Sequence, residues 1–260
     1  ALAPLELSDA ERADFLAIDP EGLALDANER ENMVLGRLVA SYPMSAAVLS
    51  ALPKGLDLIR TALRAEHFLR PAFERPIIFG ATLEAGLELV ECAPAPRAFL
   101  LNVIGWEKAL AISAAAVREA GLRGQGELEP ELEKAVAPPW MDRALHLAPN
   151  LVIYQLPASM EALRAALLPV SPNHMWARLS QAPLPKPRLD DLVSTSKPDR
   201  VIFARPRLIS RSRCEADATH DVLEAPSGLI PIIQALDGNR TGRQLIDQLT
   251  TAGAPDRIVA

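Results

Sequence analysis

The sequence predicts a mainly α protein of the α+β kind: a helical N-terminal domain with a short β segment, followed by a small mixed C-terminal domain. Three observations carry that prediction. Apolar residues recur at helical spacing through most of the first 120 residues. The pattern turns strand-like near residues 143–155 and again beyond 200. Prolines crowd the stretch between. The expected organisation is a helical domain over 1–180, a Pro-rich linker over 181–200 and a second domain over 201–260.

Each element follows from local signals. Ser8-Asp9-Ala10-Glu11 and Asp26-Ala27-Asn28-Glu29 both have capping-box spacing, so helices are expected to start there. After the second cap, Met33, Leu35, Leu38, Val39 and Tyr42 share a helical face until Pro43 ends the run. Leu56, Ile59 and Leu63 repeat the i, i+3, i+7 pattern, and a helix over 76–90 would turn Leu83, Leu87 and Val90 inward. Pro94 and Pro96 are read as a break before the longest helix, Arg97 to about Ala120, whose Ala/Leu/Val content suits the centre of a bundle. Gly121 to Glu133 reads as a polar surface loop.

Leu145, Leu147 and the run Leu151-Val152-Ile153-Tyr154 suggest strands, with helices expected over 158–168 and Asn173–Leu179. Pro183, Pro185, Pro187 and Pro198, with Ser194-Thr195-Ser196, predict an extended linker, because proline at that density removes helical donors. Beyond it, Val201–Ala204, Leu208-Ile209 and His220–Glu224 look like short strands. Ser227 is placed to cap a helix with Ile230, Ile233 and Leu236 inward, Asp237-Gly238-Asn239 is a turn, Thr241 caps a second helix, and Pro255 starts a third that is cut off at Ala260. Strands, helix, turn, helix, helix is the order of a winged helix, so the C-terminal domain is expected to be winged-helix-like.

Composition bounds the function. The 260 residues are 49% hydrophobic and 23% charged, ordinary for a globular chain, while 4% aromatics leave the core to Ala, Leu, Val and Ile. No continuous apolar run reaches the ~18 residues of a bilayer span, and no basic-then-apolar signal opens the chain. Ala1-Leu2-Ala3-Pro4 lacks a Met, so the native sequence is expected to begin upstream. Cys92 and Cys214 could form one bridge, but idle thiols in a reducing cytoplasm are the expectation. Residues 197–260 hold nine Lys/Arg against eight Asp/Glu, and the remainder holds 18 against 25, so neither part has the basic surplus that draws a protein to phosphate backbones.

Catalytic signatures are absent. There is no G-x-S-x-G elbow and no P-loop, and the glycines of Gly121–Gly126 follow a helix where a dinucleotide fingerprint follows a strand. His67, His146, His174 and His220 are scattered, with no i+3 or i+4 pairing, and the cysteines have no neighbours at metal-site spacing. His67 is placed late in a helix, where it would favour the C-terminal dipole. No catalytic residue and no metal ligand is assigned.

Function is therefore sought in the shape of the C-terminal domain. As a DNA reader it is poorly equipped: its second helix offers Arg243 beside Gln244, Asp247 and Gln248. Arg205, Arg207, Arg211 and Arg213 form a basic cluster, but Glu215, Asp217, Asp221 and Glu224 answer it. A small sheet with an edge can instead take an extended peptide by strand addition, which needs no strong field.

Several runs resemble a known family. Leu38-Val39-Ala40-Ser41-Tyr42-Pro43-Met44-Ser45-Ala46-Ala47 is similar to a Tyr/Phe-Pro helix end in the helical partner proteins of DUF692-type multinuclear non-heme iron oxidative enzymes. So are Ala98–Ala109, a long helix with a central Trp or Glu, and Leu145–Leu151, an L-x-L-x-P-x-L strand segment. Ala225–Ile230 through Leu236-Asp237-Gly238-Asn239-Arg240-Thr241 resembles PqqD-like precursor-recognition domains, which carry a D-G-x-R-T turn between helices. The resemblance implies a non-catalytic accessory subunit of a bacterial pathway to a ribosomally made peptide natural product. It would form a heterodimer with the iron enzyme, a TIM barrel acting on cysteine, and present the precursor's leader to it. Iron would sit in the partner and no cofactor in this chain. The strand His220, Asp221, Val222, Leu223 and Glu224, with Ile258 on the last helix, is expected to border the peptide. The alternative is a DNA-binding transcriptional regulator with a helical sensor domain, and a free-standing enzyme with a spatially assembled metal site stands third.

Overall fold

A computed structural model describes residues 8–9, 13, 17, 19–125, 140–142, 144–147, 150–168, 174–195, 200–212 and 216–251. Helix α1 spans Pro20–Ser41. It starts earlier than the Asp26 box predicts, because Asp19 caps it: its carboxylate accepts from the backbone N–H groups of Glu21 and Gly22, each at 3.1 Å, and Pro20 supplies a preset φ at the first position. Asp26 instead pairs with Arg30 one turn on, at 2.8 Å. The helix is exposed as far as Met33, which faces solvent, and buries only its last stripe of Val34, Leu35, Leu38 and Val39. Pro43 ends it as expected, and the chain turns by 103° into α2, Pro43–Ser50, almost wholly buried.

Helices α3 (Gly55–Ala62), α4 (Ala65–Leu69) and α5 (Arg75–Gly86) follow, α5 tightening into a 3₁₀ turn over Leu87–Leu89. Ile59, Leu83, Leu87 and Val90 are buried, as their spacing predicts. Helix α6 runs from Pro94 to Leu122. Pro94 and Pro96 begin this helix instead of preceding it, since its first turn needs no N–H donors from them.

A 3₁₀ turn over Trp140–Asp142 leads to β1 (Ala144–His146) and β2 (Val152–Leu156), then to α7 (Met160–Leu167), α8 (Met175–Gln181) and α9 (Lys186–Thr195). The long strands β3 (Arg200–Arg211) and β4 (Ala216–Pro226), a 3₁₀ turn at Ser227–Leu229, helix α10 (Ile230–Gln234), strand β5 (Asp237–Thr241) and helix α11 (Gly242–Thr251) complete the order. The protein is mainly helical with small antiparallel sheets, as the α+β prediction requires.

Four local expectations are corrected. The linker over 181–200 is not extended: α9 occupies much of it, with Pro187 in its first turn, and Leu184, Leu189 and Leu192 reach the core. Val201–Ala204 and Leu208-Ile209 belong to one strand, β3, with a register irregularity between Leu208 and Ser210. The Ser227 helix is shorter than expected and opens as a 3₁₀ turn. Asp237-Gly238-Asn239 keeps its turn chemistry, with Gly238 at φ 81° and Asp237 Oδ1 accepting from Asn239 N–H at 2.9 Å, but it enters β5, which pairs with β1. Thr241 does cap the next helix: its hydroxyl accepts from Gln244 N–H at 3.3 Å, and Gln244 Oε1 accepts in return from Thr241 N–H at 2.9 Å. The expected third helix at Pro255, the start at Ser8-Asp9-Ala10-Glu11 and Cys214 lie wholly or partly outside the described residues. Cys92 is a free thiol.

Helix α6 is the central element. It packs against α5, α2, β2, β3 and β4, burying Phe99, Leu100, Val103, Ile104 and Trp106. By length and composition it could cross a bilayer, which no continuous apolar run in the sequence announces. Here its apolar side chains join a core that runs from Val34 through Leu192 to Ile202 and Ala204 on β3, with no division at 181–200. Close contact with α6 needs Gly105, where a Cβ would lie 2.2 Å from the Tyr154 hydroxyl of β2.

Candidate functional site

Strand β4 is the outermost member of a sheet ordered β2-β3-β4. Its pairing with β3 is continuous from Arg200↔Pro226 to Arg205↔Asp221 and beyond. No strand pairs with its other side among the described residues, so it is an edge with alternate backbone groups unpaired within the sheet. One sheet face lies on α6 and carries His220, Val222 and Glu224; the other carries Leu223 and Ala225. On that second face Val201, Phe203 and Ala225 form a small core with Leu151, Leu229, Ile230 and Ile233, so α10 covers part of the sheet.

The strand of residues expected to border a peptide is thus at a sheet edge, but its side chains divide. Val222 and Leu223 are exposed, at 41% and 65%, and Ile153 lies on the Leu223 face two strands away. The other three are engaged in the fold. His220 Nε2 lies 2.7 Å from the Ser113 hydroxyl of α6, and burial together with the nearby Arg118 holds its pKa below the ordinary histidine value. Asp221 pairs with Arg207 at 3.3 Å. Glu224 accepts from the Met160 N–H at the start of α7 at 3.0 Å and stands 3.8 Å from Arg200. Ile258 lies outside the described residues.

Beside the Ala216–His220 half of this edge, α6 floors a run of cavities. One of about 300 Å³ lies among Ser41, Pro76, Glu107, Arg118, Thr219 and His220. A second of about 430 Å³ is bounded by Pro71–Phe73, Arg118, Leu122 and Asp217, and a third of about 230 Å³ by α1 and the start of α5. These cavities set residues 216–220 of β4 opposite the 71–76 segment and the end of α1 across a groove. Reading the sequence missed this groove, since its walls are brought together from α1, α5, α6 and β4.

Glu107 dominates the buried end. It is 2% exposed, and its carboxylate accepts from Met44 N–H at 2.8 Å, from Ser45 N–H at 3.0 Å and from the Ser45 hydroxyl. Tyr42, which precedes α2, makes no side-chain cap, so Glu107 satisfies the first donors of that helix. Burial pushes its carboxyl up to about 7, against the pull of these three donors. Tyr42 is also fully buried, donates to Pro76 O at 2.8 Å, and has its phenol raised by burial and by the nearby Glu107 and Glu84.

The remaining histidines do not assemble with these groups. His67 falls in the last turn of α4, as expected, but this helix has only five residues, so His67 also reaches its start, where its Nδ1 accepts from Arg64 N–H at 3.0 Å, and burial holds its pKa down. His174 precedes α8 and is exposed. His146 lies on β1. Among the described residues no group of three or more His, Cys, Asp or Glu side chains is placed to hold a metal ion.

Of the arginines weighed as a nucleic-acid surface, Arg207 meets Asp221 and Arg243 meets Asp142, each at 3.3 Å, while Arg213 lies outside the described residues. Arg240, on β5, meets both Asp237 at 3.3 Å and Gln248 at 2.7 Å. Compared with family models, with curated proteins and with solved structures, the chain matches none.

Proposed function

We propose that this chain is a non-catalytic partner subunit that binds an extended precursor peptide along the free edge of β4 and presents it to an iron-dependent, DUF692-type peptide-modifying enzyme. The observation that carries the reading is the unpaired side of β4 among the described residues, with Val222 and Leu223 exposed on opposite faces of one strand. Backbone groups along that side would supply affinity, and the two apolar side chains would grip alternate residues of the peptide. The hairpin β3–β4, helix α10, strand β5 and helix α11 would form the winged-helix-like, PqqD-like recognition module. The exposed first half of α1, with Leu23 and Leu25 at 52% and 60%, offers apolar surface for docking the enzyme. In this reading the iron belongs to the partner, the peptide cysteine is the reacting group, and the complex works in the cytoplasm.

The test uses the full chain co-expressed with the iron enzyme encoded beside it, and a fluorescein-labelled leader peptide from the same gene neighbourhood. A complex is expected in a pull-down at micromolar concentration. Leu223→Asp should weaken leader binding at least about tenfold by anisotropy with an unchanged melting curve, because a carboxylate would then be set into the apolar contact. Val222→Pro should weaken it too by disturbing the edge backbone. Absence of a complex, or leader affinity indifferent to both substitutions, would overturn the proposal; salt-sensitive binding of duplex DNA would favour a regulator instead.

A further inference from the structure

Three arginines from three different elements line the cavity of about 230 Å³ between α1, α5 and α6: Arg37, Arg75 and Arg118. Among the described residues none of the three has a carboxylate partner within ion-pair distance. Arg75 donates its Nε–H to Arg70 O at 3.0 Å, and that is a backbone contact. The Arg37 and Arg118 side chains have no hydrogen-bond partner among the described residues, and Arg118 Nε is buried. The acidic groups nearby are engaged: Glu107 with Met44 and Ser45, Asp217 with the Ser210 hydroxyl at 3.0 Å, and Glu74 with Arg70 at 3.6 Å.

A guanidinium nitrogen withdrawn from water with no acceptor is costly, as Arg118 Nε is here, and a fold that sets two further guanidiniums, Arg37 and Arg75, around the same cavity calls for an anion. The guanidinium fork matches a planar carboxylate bidentately. Apart from Ser41, the remaining walls, Val34, Leu38, Ala72 and Pro76, are apolar and suit a short hydrocarbon stem better than a fully hydrated ion. We propose that this cavity is a binding site for an organic carboxylate on a short apolar stem, held by Arg118 with Arg37 and Arg75 beside it. The carboxylate can belong to a free small acid or to a glutamate side chain of a peptide. The site shares Arg118, Ser41 and Pro76 with the cavity beside His220, so a strand on β4 lies within reach of it. The proposal stands without the strand-addition reading, because a free acid needs only the three arginines.

The experiment titrates the intact chain by calorimetry and thermal shift with glutarate, with inorganic phosphate, and with the blocked pentapeptides acetyl-Thr-Val-Glu-Val-Thr-amide and its Gln counterpart. Saturable binding of glutarate, or of the Glu peptide over the Gln peptide by about tenfold or more, supports the site; the first identifies a free acid and the second a peptide side chain as the source. Arg118→Gln should lower that affinity at least about tenfold. Arg37→Gln, at an exposed position where folding is not at stake, should lower it severalfold. Binding of neither carboxylate, phosphate binding as tightly as either, or an affinity unmoved by Arg37→Gln would overturn the assignment. Failure here with leader binding intact would leave the β4 reading standing, and the reverse result would leave this one.

Discussion

Glu107 and Ser45, 62 residues apart in sequence, are joined twice: one carboxylate oxygen of Glu107 accepts both the backbone N–H and the hydroxyl of Ser45. The other oxygen takes Met44 N–H, so a side chain of the central helix substitutes for the missing cap of α2. Glu107→Ala would leave these buried donors without an acceptor and should cost about 3 kcal/mol in urea unfolding. The same group sets a pH dependence. Its folded carboxyl stands at about 7, above the ordinary value near 4.5 that the unfolded chain would show. A group raised on folding contributes stability that is fully present below the unfolded pKa and is lost as pH rises through the folded one. The stability of the native chain relative to Glu107→Gln should therefore be highest below about 4.5 and fall by on the order of 3 kcal/mol as pH passes 7. A flat difference across that window would show that burial does not govern this carboxyl.

Two glycines give opposite expectations for one substitution. At Gly55 a Cβ would lie 1.8 Å from the Leu49 carbonyl oxygen, a backbone atom that cannot swing aside. Gly55→Ala should destabilise by about 3 kcal/mol or more, or prevent folding. At Gly36, inside α1, a Cβ meets nothing within 4 Å. Gly36→Ala should stabilise by about 0.5–1 kcal/mol by restricting the unfolded backbone. Thermal melts of the two variants beside the native chain check both signs.

Tyr42 and Gly80 form a second dependent pair. The phenol lies against α5, donating to Pro76 O, and a Cβ at position 80 would stand 2.2 Å from the hydroxyl and 2.7 Å from the ring carbon bearing it. Gly80→Ala should cost about 2–3 kcal/mol, since a buried ring packed edge-on against Phe79 has no free rotamer to move into. Removing the hydroxyl relieves the closest contact, so Gly80→Ala should cost less in a Tyr42→Phe background than in the native one. A double-mutant cycle measures that coupling; strict additivity would mean the pair does not constrain each other.

How much of this was legible in the sequence depends on the range of the signal. Leu83, Leu87 and Val90, or the run through Trp106, announce buried helix faces because their spacing is a local property of the helix. The Tyr42-Pro43 bend and the Thr241 cap are read from adjacent residues and are found where expected. The strand at His220–Glu224 was legible from its β-prone run, but its edge position was not, because an earlier strand, β2, joins the same sheet and only tertiary packing sets it beside β3. The Glu107–Ser45 contact was not, since a glutamate in an apolar helix gives no sign of which distant donors it meets. The groove lined by Arg37, Arg75 and Arg118 was hidden for the same reason: each arginine reads alone as a solvated surface charge. Strand β5 was masked by its own turn residues, Asp237 and Gly238, whose pairing with β1 is set by tertiary contact.

The segment 181–200 shows the strongest disagreement between local composition and tertiary packing, and it yields a sharp test. Proline density predicts an extended linker, but Pro183 and Pro185 precede α9 and Pro187 falls in its first turn, where no helical donor is lost. Downstream of Pro187, Leu189 and Leu192 recur one turn apart and enter the same core as α2 and α6, together with Leu184. Leu184 N–H also donates to the Ser50 hydroxyl at 3.0 Å, tying the segment to the end of α2. In a linker, replacing either leucine would change stability by less than about 0.5 kcal/mol. As core residues, with Leu189 1% exposed, Leu189→Ala and Leu192→Ala should each cost about 2–5 kcal/mol, because each leaves a cavity between elements that cannot close over it. Urea unfolding of the two variants decides between these figures, and a small loss in both would restore the linker.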